Sequence, residues 1–345
     1  MPHINIKKGH DIRISGKPVK NIINLSSPKK LAILPTDFVG VKPKLMVTEG
    51  DGVKIGSPLF FDKNKPDIKW ASPGAGKIKN IEYGPRRVIQ KIEISLNDNQ
   101  DNIEHKKYIR SDIISLDRKQ VLNSILEAYV FPIFRQRPFN TIPDPAIPPR
   151  DIFISAVDTS PLGVDLEMVM ADEIENFQAG IDVLNVLTGG KVYLTTIIGS
   201  VLSSIQNAKL NTISGPHPAG NIGIQIHHIS HLKPGDSVWT VNSQDVLVLG
   251  KLFLSGLYDP SRVVTLGGPC VSDPGHFRIT QGSTMASLIG DRLNKEDSRI
   301  ISGDVLTGRT SYLEDYISYY DYTISIISNE IKREFIGMLN PGSSS

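Results

Sequence analysis

Cysteine is nearly absent: Cys270 stands alone in a chain of 345 residues. A single thiol excludes an intrachain disulfide, a thiolate zinc site and an iron–sulfur cluster held by this chain alone. Long hydrophobic runs are missing as well. The most apolar stretch, Val246 to Leu257, is broken by Lys251 and two glycines and falls short of the roughly 18 residues of a membrane-crossing helix. The first residues, Met1 to Arg13, carry charges where a signal peptide would need an apolar core. Neither sign of charge dominates: 38 Lys plus Arg stand against 36 Asp plus Glu, a net +2, which argues against nucleic acid as a partner. No GxGxxG occurs, so the usual loop for NAD or flavin is lacking. These absences predict a soluble, cytosolic protein whose attachment to a membrane could only be peripheral.

What is present is enough apolar residue, 39% against 21% charged, to build two or three globular cores. The patterning predicts an α+β multidomain chain. Residues 1–105 read as a carrier-like, barrel-sandwich β domain, with short β-branched runs (Leu31–Leu34, Leu45–Thr48, Val88–Leu96) punctuated by Gly and Pro pairs. Residues 106–149 read as a helix over Asp117–Val130 followed by a connector with five prolines between Pro138 and Pro149, which can be neither helix nor central strand. From 150 to 260 strands alternate with helices: Asp151–Val157, helix Asp172–Leu187, Lys191–Ile198, a short helix Ser200–Asn207, Leu210–Ile213, Val238–Val241 and a helix after Ser243. That alternation predicts an open, largely parallel, Rossmann-like α/β sheet. Residues 261–330 return to β, with a short helix near Ser283–Ile289, and read as a β-grasp-like domain. Residues 331–345 read as the start of a further, truncated C-terminal region.

Several motifs admit a functional and a plain reading. Gly303-Asp304-Val305-Leu306-Thr307-Gly308-Arg309-Thr310 has the outline of a phosphate loop with arginine in place of lysine, but a poor helix rich in Tyr and Ser follows it, which favours a structural turn. His227 and His231 are four apart, a zinc-ligand spacing on a helix. Ile222, Ile224 and Ile226 alternate with Gly223, Gln225 and His227, however, which is strand periodicity and separates the two histidines. Ser214-Gly215-Pro216-His217-Pro218-Ala219-Gly220 is a loop stiffened by two prolines after a strand end, where open α/β sheets bind ligands; it is either a contact loop centred on His217 or a rigid turn. Phe131-Pro132-Ile133-Phe134-Arg135-Gln136-Arg137-Pro138-Phe139 mixes aromatics with Arg135 and Arg137, a composition of partner and flat-ligand surfaces; otherwise it is an inter-domain strap with buried phenylalanines. Asp245 stands at the expected start of a helix. Lys63 and Lys65 lie near a hairpin tip where biotinyl and lipoyl carriers hold a modified lysine, but the flanking methionines of those carriers are missing.

The ordered strings along the chain resemble a known family, the A subunits of the bacterial Na+-translocating NADH:quinone reductase. Its carriers here are Val47-Thr48-Glu49-Gly50-Asp51, Ala71-Ser72-Pro73, Arg86-Arg87-Val88 and Arg135-Gln136-Arg137-Pro138-Phe139. Further on stand Pro149-Arg150-Asp151, Gly215-Pro216-His217-Pro218-Ala219-Gly220 with Ile226-His227-His228, Leu266-Gly267-Gly268-Pro269 and Ile301-Ser302-Gly303-Asp304. The resemblance implies a peripheral protein on the cytoplasmic face of the inner membrane, part of a six-subunit complex that oxidises NADH, reduces ubiquinone and exports Na+. It implies partners in the other five subunits, the membrane-embedded B subunit above all. It also implies no redox cofactor on this chain, with flavins and iron–sulfur centres on the other subunits. No residue is assigned to catalysis or to a metal; His217, Arg135, Arg137 and Asp245 are the expected quinone or partner contacts. Family members continue past Gly337 into a further region. The competing expectation is a scaffold or small-ligand binding module that does not assemble into the complex.

Overall fold

The computed structural model describes residues 1–295 and 297–329; the expected start of a C-terminal region at 331–345 lies outside them. The first two strands, β1 (His3–Asn5) and β2 (Ile22–Asn24), do not join the barrel that follows. β1 runs parallel to a strand some 200 residues later, pairing His3 with Thr212, and β2 pairs Phe277 through Ile23. Such three-residue segments show no periodicity of their own, and only their distant partners make them strands. The barrel-sandwich is built by β3 (Lys30–Ile33), β4 (Pro43–Leu45), β5 (Gly52–Val53), β6 (Pro58–Asp62), β7 (Lys65–Ala71), β8 (Gly76–Tyr83) and β9 (Ile89–Leu96). They form two sheets, ordered β3-β9-β8-β5 and β4-β6-β7. Inward alternation of Ile92, Ile94, Ile68 and Trp70 fills the space between them. Lys65, one of the two candidate carrier lysines, is not displayed: its amine donates to the carbonyl of Ile142 at 3.3 Å.

After α1 (Arg110–Ile113) comes α2 (Arg118–Glu127), which starts where Asp117 accepts from the Gln120 amide at 2.8 Å and Gln120 reciprocates to the Asp117 amide at 2.9 Å. Its buried Val121 and Ile125 share one continuous core with the barrel and with Phe131 and Phe134 of the connector. The proline-rich segment then contributes β10 (Arg135–Arg137) as an antiparallel edge strand, the one sheet position that tolerates neighbouring prolines.

The α/β sheet consists of β11 (Ile152–Ser155), β12 (Val192–Thr196), β13 (Lys209–Ser214) and β14 (Val238–Asn242), all parallel, in the spatial order β1-β13-β12-β11-β14-β10. Its helices are α3 (Leu166–Met170), α4 (Ile174–Leu187), α5 (Ile222–Ser230) and α6 (Ser243–Ser255). The expected helix over Ser200–Asn207 is a single 3-10 turn, Val201–Ser204. The chain steps outward from β11 to β12 and β13, then crosses back to place β14 on the other side of β11. The direction of winding therefore reverses between β11 and β14.

One expectation is corrected here. Residues 222–230 are helical, not a strand. Ile222, Ile226 and Ile229 recur at helical spacing and pack on Phe153 and Val238, while Ile224 turns to Ala219 and Val157. The isoleucines fit both periods, and burial against the sheet selected the helix. His227 is exposed on that helix and His231 lies just beyond its end; no group of three or more metal-type ligands occurs among the described residues.

The last sheet combines β15 (Ser261–Gly267), β16 (Gly275–Thr280), β17 (Ser298–Ser302), β18 (Arg309–Ser311) and β19 (Thr323–Ser328) with β2, in the order β18-β17-β19-β15-β16-β2, beside α7 (Met285–Ile289). The phosphate-loop lookalike is the β17–β18 hairpin turn. Asp304 accepts there from the amides of Leu306 and Thr307, so those N–H groups are already used.

Candidate functional site

The carboxyl ends of β11 and β14 open into a cleft of about 390 Å³. Three of the four expected contact residues, Arg135, Arg137 and Asp245, line it. Two-residue alternation along β10 turns both arginines to one face, with Gln136 opposed, and the pairing of Arg135 with Thr240 sets them beside β14. Arg135 donates to the Asn140 carbonyl and lies 4.2 Å over the Tyr320 ring. The Tyr320 hydroxyl donates to Pro132 O at 2.8 Å, which holds that ring under the guanidinium. Burial and the neighbouring Arg135 charge pull Arg137 below the ordinary arginine value, though it remains charged.

Asp245 sits in the first turn of α6, which begins where Asn242 accepts from the Gln244 amide at 2.9 Å. Its carboxylate is 2.8 Å from Arg262 of β15, both groups almost fully buried, and accepts from the Tyr322 hydroxyl at 3.3 Å. Burial holds the Asp245 carboxyl above the ordinary carboxylate value, against the opposing pull of Arg262 and the Tyr322 hydroxyl. Arg262 in turn faces the rings of Tyr319 and Tyr322 at 5.4 and 5.3 Å. From the barrel side Asp37 reaches the same rim, 2.6 Å from Arg309 and accepting from the Tyr319 amide at 2.8 Å. The cleft is thus shared by barrel, α/β sheet and C-terminal sheet.

His217 is not brought into this cleft. Its ring nitrogen is 3.2 Å from Thr159 Oγ1, its amide donates to Asp11 at 2.9 Å, and its carbonyl accepts from the His10 amide at 2.9 Å. The loop pins the N-terminal arm beside a second, larger cleft of about 980 Å³ that lies across the 156–166 segment. Both clefts lie at carboxyl ends of the parallel strands, and the smaller is the better candidate because its arginines lack ion-pair partners. Phe131 and Phe134 are buried, as the strap reading expects, while Phe139 is 80% exposed. Residue patterns missed Tyr320, Tyr322, Arg262 and Asp37. Their one visible signal was the run Tyr319-Tyr320-Asp321-Tyr322, which reads as polar loop until Arg135 and Arg262 are placed against it.

A buried histidine joins three parts of the chain at the larger cleft. The Asp165 amide donates to His276 Nε2 at 2.9 Å, and Nδ1 donates to Val19 O at 2.8 Å, an arrangement that requires the neutral ring. Burial lowers its pKa below the ordinary value, against the pull of Asp165. Below about pH 6.5 the unfolded chain takes up a proton that the folded ring resists. Stability is therefore complete above that pH and declines as the pH falls. Urea midpoints between pH 8 and pH 5 should show this slope, and His276→Gln should flatten it; an unchanged slope would place the titrating group elsewhere.

An α+β chain whose barrel, α/β sheet and C-terminal sheet converge on one cleft, with no helix among the described residues long and apolar enough to cross a membrane, defines the class. Residues 4–97 match the family described as the NqrA N-terminal barrel-sandwich hybrid domain, 116–258 the NqrA second alpha/beta domain, and 263–312 the NQRA C-terminal domain. The chain is 38% identical over 342 residues to the A subunit of the Na(+)-translocating NADH-quinone reductase of Yersinia pseudotuberculosis, covering 98% of this chain and 76% of that one. It is 36% identical to the corresponding proteins of Pseudomonas aeruginosa and Histophilus somni, which carry the same name, each over 342 residues with the same coverage. The chain belongs to the NqrA family, the A subunits of the Na+-translocating NADH-quinone reductase.

Proposed function

We propose that the chain serves as the peripheral A subunit of a complex that passes electrons from NADH to ubiquinone and exports Na+. In this reading it docks on the membrane-embedded B subunit at the cytoplasmic face, together with four further subunits. It helps to form the quinone site through Arg135, Arg137 and Asp245, with His217 as a nearby contact, while flavins and iron–sulfur centres reside on the other subunits. The observation that carries the reading is the family identity sustained over 98% of the chain. The order β13-β12-β11-β14 further supports a Rossmann-like core, because it matches the 3-2-1-4 part of a dinucleotide-binding sheet. The mixed C-terminal sheet around α7 is read as β-grasp-like.

The test is affinity purification of the tagged chain from detergent-solubilised native membranes, with the eluate assayed for Na+-stimulated quinone reduction by NADH. Membrane subunits and activity should co-purify; a folded chain that elutes alone would overturn the subunit reading. In the same eluate His217→Ala should lower quinone reduction more than it lowers folding stability, because the main-chain bonds of its loop survive the substitution. Unaltered activity in the assembled complex would remove His217 from the site.

A further inference from the structure

Neither arginine of β10 has an ion-pair partner among the described residues, although Asp37, Asp158 and Asp245 also line the cleft. Arg137 has no hydrogen-bond acceptor and no carboxylate partner among the described residues, and its Nε is closed off from solvent without an acceptor. The Nε of Arg135 is in the same position. The carboxylates that share the cleft are committed elsewhere. Asp245 is paired with Arg262 at 2.8 Å and Asp37 with Arg309 at 2.6 Å. Asp158 accepts from the amide and hydroxyl of Ser160, at 2.8 and 2.6 Å, and from the Val164 amide at 3.3 Å. Two adjacent half-buried guanidiniums repel each other, and a partly desolvated cation without a counter-ion is costly to hold.

The position matters as much as the charge. The strand order reverses at β11, with β12 on one side and β14 on the other, and the carboxyl ends of the strands at such a reversal are where open α/β sheets take ligands. The cleft's volume of about 390 Å³ suits a small molecule. Its walls offer an apolar side in Val164, Leu166 and Ile222, and hydroxyl and amide groups in Ser155, Thr240 and Asn242.

We propose that this cleft binds a small organic anion, a carboxylate or phosphate group on a flat or apolar body, with Arg137 as its principal anchor and Arg135 beside it. Guanidinium forks match the oxygens of either group bidentately, and the bound anion removes the Arg135–Arg137 repulsion. The anion shares this cleft and its arginines with the quinone reading but is a different ligand, since an oxidised quinone brings no negative charge; anion-dependent stability is read without quinone reduction, so the two readings fail separately.

The test is thermal unfolding of the full chain titrated with inorganic phosphate and, separately, with benzoate, each at ionic strength held constant with sodium chloride. Either anion should raise Tm saturably, by about 3 °C or more near saturation. The anion that does so identifies the head group as phosphate or carboxylate. Arg137→Gln should weaken binding by about tenfold or more. If Arg137→Gln fails to fold, Arg137→Lys keeps the charge but not the fork, and should keep a weakened, still saturable shift. No shift beyond that of chloride, or an undiminished shift in the folded Arg137 variant, would overturn the proposal.

Discussion

Replacing Arg262 by methionine is expected to remove about 3–5 kcal/mol of folding free energy. Arg262 and Asp245 are 4% and 1% exposed, so the loss of the cation strands a carboxylate in the interface between α6 and the C-terminal sheet. Only the Tyr322 hydroxyl would remain to donate to it. The sign of the pH dependence follows from the same geometry. Without Arg262, burial alone acts on Asp245 and raises its folded pKa further above the unfolded value of about 3.9. The variant's deficit should therefore be smallest near pH 4 and grow as the pH rises through that raised value. Guanidinium chloride melts of the Arg262→Met chain at pH 4.5 and pH 8 check both points. Adding Asp245→Leu should recover much of the loss at pH 8, since it is the unpaired charge and not the missing bond that costs most. A deficit independent of pH would mean that Arg262 contributes by packing.

The second large effect is expected at the contact between α4 and α6. A Cβ on Gly250 would lie 1.8 Å from the Asn176 carbonyl oxygen, and one on Gly180 would lie 2.2 Å from Val246 O. Both obstacles are backbone, so no side-chain rotation relieves them. Gly250→Ala must push the helices apart, opening the core around Phe177, Ile181 and Leu249, and should cost about 3 kcal/mol or more. The better helix propensity of alanine, worth about 1 kcal/mol, offsets only part of this. Gly223 of α5 supplies the opposite sign. Nothing lies within 4 Å of the position its Cβ would take, so Gly223→Ala should stabilise by about 0.5 kcal/mol. Urea midpoints of the two variants, measured side by side, should move in opposite directions. Equal shifts would show that the helix–helix approach is looser than these distances state.

These two sites also mark where residue patterns stop being informative. Gly250 reads in the sequence as one of two glycines that interrupt an apolar run, which tells against a membrane helix but says nothing about Asn176. Asp245 reads as a helix-start carboxylate; its partner Arg262 is seventeen residues on, in the following strand, and no spacing rule joins them. Arg135 and Arg137 were legible as a pair because any extended segment turns them to one side. That Arg135 faces Tyr320 depends on the C-terminal domain closing over β10. His217 was legible as the centre of a stiff loop, but its ties to Asp11 and His10 could not be foreseen, because those residues lie in an irregular segment after β1 with no pattern of its own.

By itself the sequence determined the local elements and their class. Capping residues, strand alternation, helical periodicity and the proline run decide over a few residues whether a segment is helix, strand or edge, and those forces act within the segment. It also settled what the lone Cys270 and the missing glycine fingerprint exclude. Tertiary structure decided everything that rests on non-local burial: the helix at Ile222–Ser230, whose isoleucines satisfy both periods until the sheet presents Phe153 and Val238; the attachment of β1 and β2 to distant sheets; and the cleft itself. A charge becomes a strong binding group when folding takes away part of its water and leaves it no partner. For Arg137 that happens between β10, β14 and the tyrosines of the last domain, which only the folded chain brings together.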